Sequence, residues 1–104
     1  MLIEKKFSDT DVVSLKLVSG EEIIGRFEKE GDDTITLNKP MMIAMTPKGP
    51  AMAPVMMTAD PESTLTFNKK LITISTHSFK EVADQYVFQT TGIQPVSTSS
   101  IITR

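Results

Sequence analysis

Apolar and polar positions alternate over residues 12–18. Val13, Leu15 and Leu17 share one face, and Ser14 and Lys16 lie on the other. This period of two predicts a half-buried strand. Ser19-Gly20 follows as a turn signal. Alternation resumes from Ile23 to Glu28, with Ile23, Gly25 and Phe27 on one face. A glycine inside a strand marks a bend or a close backbone approach. Glu30-Gly31-Asp32-Asp33 then breaks the run, since Gly supplies unusual backbone angles and Asp bonds back to the main chain. Thr34-Ile35-Thr36-Leu37 begins a third strand, with Ile35 and Leu37 inward.

The third strand is expected to continue through Asn38-Lys39-Pro40 into Met41–Met45. Pro40 has no N–H for a ladder, so it belongs at an edge or a bulge. Thr46-Pro47-Lys48-Gly49-Pro50 is a turn, and residues 51–57 return as its hairpin partner, with Pro54 again at an irregular or edge position. Residues 59–63 form a polar loop. Thr64–Phe67 is a short extended segment, and Leu71–Ser75 is a clearer strand, rich in β-branched residues.

After residue 77 the period changes. Ser78-Phe79-Lys80-Glu81 fits a capping box, with Ser78 as N-cap and Glu81 three positions on. Phe79, Val82, Ala83, Tyr86 and Val87 form one apolar stripe at helical spacing, and Gly92 suits the left-handed residue beyond a helix end. The spacing predicts a helix over 79–90. Phe88 falls opposite the stripe: either it is exposed and meets a neighbouring subunit, or the helix ends early. Residues 94–104 are a polar, Ser/Thr-rich tail with one apolar pair, Ile101-Ile102. They are either disordered or a strand added to some edge.

A chain of 104 residues, 39% hydrophobic, fits one globular domain with a thin core. Oligomerisation would hide more apolar area. The absence of cysteine excludes disulfides and thiolate zinc sites. No signal peptide and no run near the roughly 20 apolar residues of a membrane span is visible, so the expected location is the cytoplasm, with no membrane partner. Thirteen acidic and eleven basic residues give a net charge of −2, which argues against coating nucleic acid by bulk electrostatics. Six of the seven methionines fall between Met41 and Met57. They serve either core and hairpin packing or an adaptable partner face.

Residues 13–37 resemble the first motif of the Sm-like (LSm) proteins. The match runs through Val13-Ser14-Leu15-Lys16-Leu17, Gly20, Gly25, Asp32-Asp33 and Ile35-Thr36-Leu37, about a quarter of the chain. The small Sm-like proteins of marine bacteriophages are similar. The resemblance implies a mainly β fold: a small, strongly bent antiparallel barrel of the Sm-like, SH3 type over residues 1–93, here with an inserted Met-rich hairpin and a C-terminal helix. Gly20 would sit in the hairpin turn, Gly25 at the sharp bend of the second strand, and Asp32 in the loop that follows. It also implies a homo-oligomeric ring that binds RNA through loops. The candidate contacts are Asp33, Thr36, Lys69 and Lys70. Thr36 stands where the family carries a base-contacting Asn, and Asn68-Lys69-Lys70 where it carries an Arg-Gly pair.

Catalytic constellations are not apparent. His77 is the one histidine, Asp32-Asp33 reads as a turn-former, and no phosphate-binding glycine loop or nucleophile elbow occurs. The chain is expected to need no metal or cofactor and to be no enzyme. Two functions stand: an RNA-binding Sm-like ring, or a structural or interaction module, for example in phage assembly. The second would use Met42, Met56 and Phe88 on the hairpin and helix to hold a protein partner.

Overall fold

Alternation of β-branched and aliphatic residues with polar ones produces six strands, and the computed structural model describes residues 7–92 of the chain. They are β1 (Val12–Leu17), β2 (Glu22–Glu30), β3 (Thr34–Thr46), β4 (Gly49–Pro54), β5 (Thr64–Asn68) and β6 (Ile72–His77), followed by one helix, α1 (Lys80–Thr91). A single 3-10 turn, Lys69–Leu71, joins β5 to β6. The strands form one antiparallel sheet in the order β4-β3-β2-β1-β6, and β5 pairs with the first half of β3.

The sheet bends where β2 meets the middle of β3. Arg26 faces Asn38 and Ile24 faces Met41, so Gly25 is opposed by two residues, Lys39 and Pro40. This is a bulge, and an extra residue on one strand bends it and increases its twist. Pro40, which lacks an N–H, lies at the irregular position expected of it. Lys39 takes a positive φ of 50° there. A Cβ on Gly25 would lie 3.1 Å from Leu37 Cβ and 3.2 Å from Pro40 Cα, so a side chain there needs Leu37 and the Pro40 backbone to give by a few tenths of an ångström. Beyond the bulge β3 changes partner: residues 34–38 pair with β5, and residues 41–46 pair with β4.

One face of the sheet carries the core. Phe7, Val13, Leu15, Ile23, Phe27, Ile35 and Leu37 are buried together, with Leu17, Met42, Val55, Phe67 and Ile72 packed against them. Each large side chain in this set contributes roughly 1.5–3 kcal/mol of transfer free energy. The other face is covered at its centre by α1, whose Tyr86 is fully buried, as is Ile24 of β2.

Two expectations are corrected. The barrel is not closed: β5 bonds to β3 and β6 to β1, and no ladder joins β5 to β6. The three-residue turn between them carries the chain away from β3 and lays β6 beside β1 instead. The capping box does not form either. The N-cap is Phe79, without a side-chain cap bond, and the Ser78 hydroxyl lies 2.7 Å from that of Ser14 on β1. Phe79 is accordingly exposed rather than part of the packed stripe. Gly92 does end the helix in the left-handed region, at φ 77°. Residues 94–104, read as a polar tail, lie outside the described residues.

Candidate functional site

The β2–β3 loop and the β5–β6 turn meet at one end of the sheet. Tight local bonding shapes both. The Gly31 N–H donates to the Thr34 carbonyl over 2.8 Å, and the Asn68 side chain accepts from the Lys70 N–H over 2.9 Å. One bond joins the two segments: the Lys69 N–H donates to the Asp33 carbonyl over 2.8 Å. Asp33, Lys69 and Lys70 are therefore brought together, although 35 or more positions separate the aspartate from the lysines in sequence. Asp32 lies beside them in the same exposed loop.

Thr36 does not join this group. It lies within β3, is 6% exposed, and places its hydroxyl 2.9 Å from that of Thr66 on β5. The reason is strand register: Thr36 pairs directly with Thr66, so the two hydroxyls satisfy each other. Lys69 also has a protein partner, since its ammonium lies 2.6 Å from the Glu30 carboxylate. That pairing was not visible in the sequence, where Glu28-Lys29-Glu30 reads as a solvated face. Lys70 is exposed and forms no ion pair among the described residues. Beside the Glu30–Lys69 pair, Ile35 and Ile72 line a small open cleft of about 260 Å³ where the sheet fails to close.

A larger cleft, of about 740 Å³, lies between α1 and the sheet face away from the core. Ile24, Ile43 and Met52 form its floor, and Phe79 and Val82 of α1 its wall. It exists because Tyr86 anchors the helix at the bulge. The Tyr86 hydroxyl reaches the Asn38 and Lys39 carbonyls at 2.9 and 2.7 Å, and burial pushes its pKa up to about 12.

The methionines divide between two roles. Met42 is half-buried and packs against the core, because register with Ile23 turns it toward that face. Met45, Met56 and Met57 are exposed, and so is Phe88 at 40%. Among the described residues no group of three or more His, Asp or Glu side chains is placed to hold a metal ion. His77 ends β6 with its Nε2 3.0 Å from Asp11 and its ring edge-on to Phe7. The Ser8 N–H, and then His77, hold the Asp11 carboxyl below its usual range. No described helix is long and apolar enough to cross a membrane.

No family model matches the chain, and no curated protein matches it either.

Proposed function

We propose that the chain is a self-associating Sm-like module. The outer edge of β5 in one copy pairs with that of β6 in the next, and the ring so formed offers its loops to single-stranded RNA. The two edges carry this reading. Among the described residues the ladders join β5 to β3 and β6 to β1, and none joins β5 to β6. Such edges are templates for another chain, and a closed ring removes them. β6 also exposes Ile74, at 57%.

The RNA half of the proposal is supported by the convergence of Asp33, Lys69 and Lys70. A single weak loop site, repeated around a ring, gains strength through avidity. Of the two lysines, Lys70 is the stronger candidate contact, because Glu30 already neutralises Lys69.

Sedimentation at micromolar concentration tests the assembly, and anisotropy with short U-rich and A-rich RNA across salt tests the ligand. The expected results are a species well above monomer mass and an affinity that falls as salt rises. Lys70→Ala should weaken binding severalfold, more than Lys69→Ala does. A clean monomer would sink the ring, and absence of binding at low salt would sink the RNA site.

A second reading has its own observation, the apolar cleft beside the Met-rich hairpin. Under it the chain is an interaction module that uses the hairpin and α1. RNA binding would then be absent at low salt while association persists.

A further inference from the structure

The floor of the larger cleft does not stop at the helix. Ile43 pairs with Met52 across the hairpin, and Met45 pairs with Pro50 one step further out. Residues two apart on a strand, and direct cross-strand partners, share one face. An apolar strip therefore runs from Ile24 under α1, over Ile43 and Met52, to Met45 at the hairpin tip. Met45 is 78% exposed, and at the other end of the strip Phe79 is 66% exposed. Ile24 is covered and Ile43 and Met52 are half-buried, so the two ends of the strip are what stands in water. The hairpin cannot cover the strip by folding back, because β3 is one continuous strand of 13 residues and the hairpin itself carries part of the floor.

Charge identifies what does cover it. Residues 41–55 carry one charged side chain, Lys48 in the turn. The acidic groups lining the cleft are Glu22 and Glu81, and no lysine or arginine lines it. Glu22 lies 3.7 Å from Lys16, whereas Glu81 and Lys48 form no ion pair among the described residues. The chain thus carries an apolar projection tipped with a cation and an apolar cleft rimmed with a carboxylate, both on one face.

We propose that this face docks a second copy of the chain across a two-fold axis. The hairpin tip of each copy lies in the α1 cleft of the other, Met45 against Val82 and Phe79, and Lys48 against Glu81. The two-fold repeats each contact, so both charge pairs form at once. This contact is separate from edge pairing between β5 and β6, and it does not depend on that reading.

The test uses the full chain with Ile74→Lys, which places a cation on β6 and blunts edge pairing there. Sedimentation equilibrium of this variant should show a dimer. Adding Lys48→Glu, or adding Glu81→Lys, should raise the dimer dissociation constant roughly tenfold, since each leaves like charges facing each other. Combining the two reversals should restore the dimer. All three positions are exposed, and circular dichroism melting confirms that each variant is folded. A monomeric Ile74→Lys variant overturns the inference, gives the cleft to another occupant and leaves edge pairing standing. Reversals without effect, or a double variant no better than either single one, also overturn it. If Ile74→Lys leaves assemblies larger than a dimer, edge pairing fails, and the reversals still decide the docking.

Discussion

Tyr86 is the residue on which the helix depends. Its phenol contacts the Asn38 and Lys39 carbonyls at the bulge. Tyr86→Phe keeps the ring and removes the one O–H that the two carbonyls share. A loss of about 1–3 kcal/mol is expected in urea unfolding. Its pH dependence has a definite sign. The phenol is raised from 10.0 to about 12, so the folded state holds the proton more tightly than the unfolded chain. That stability is fully present below pH 10 and is lost as pH rises through about 12. Tyr86 is the single tyrosine, so tyrosinate absorbance follows it directly. Ionisation at the ordinary value with the protein still folded would show an exposed phenol. Gly25 is the matching residue on the sheet. Gly25→Val would press a branched side chain on Leu37 and the Pro40 backbone, and should cost about 2–4 kcal/mol. An unchanged thermal midpoint would mean that the strands do not approach as closely as described. Gly20, at φ 106°, serves a different end: its surroundings are open, and the turn between β1 and β2 requires only its backbone.

At the scale of elements, the strands were legible because their cores alternate. Val13 and Leu15, Ile23 and Phe27, and Ile35 and Leu37 each sit two or four apart and bury on one face. The start of α1 was misread for a reason that local sequence does not contain. Ser78 has the spacing of a cap, but β6 carries it to β1, where Ser14 takes its hydroxyl. This gives a direct check. Ser78→Ala and Ser14→Ala should each cost about 0.5–1.5 kcal/mol, and the double variant little more than either single one, because they share one bond. If Ser78 were a helix cap, Ser14→Ala would be silent and the effects would add. Thr36 follows the same rule. Its place in the motif marked it as a contact, and cross-strand register with Thr66 buries it.

At the scale of the whole molecule, the main feature is an open sheet with apolar surface left uncovered. Val18, Met45, Met57, Ile74 and Phe79 are each more than half exposed. Association that covers such surface stabilises the native state by mass action. The thermal midpoint should therefore rise by several degrees between low and high micromolar protein, and blunting the β6 edge with Ile74→Lys should reduce the rise to the part that the two-fold dimer contributes. A midpoint independent of concentration would show that the monomer is the stable unit.

The sequence by itself determined the strands, the bend at Gly25, the hairpin turn at Pro47-Lys48 and the end of α1 at Gly92. Those depend on periodicity and on backbone angles that few residues accept, and both are local properties. Tertiary structure decided which groups meet: Lys69 with Glu30 and Asp33, Ser78 with Ser14, Thr36 with Thr66, and Tyr86 with the bulge carbonyls. These partners lie between 30 and 64 positions apart, or at comparable separations, and strand order and register bring them together. The same long-range pairing left β5 and β6 unjoined and opened the cleft under α1. Neither feature can be read from alternation, because a strand's own pattern records which face is buried and not which edge is free.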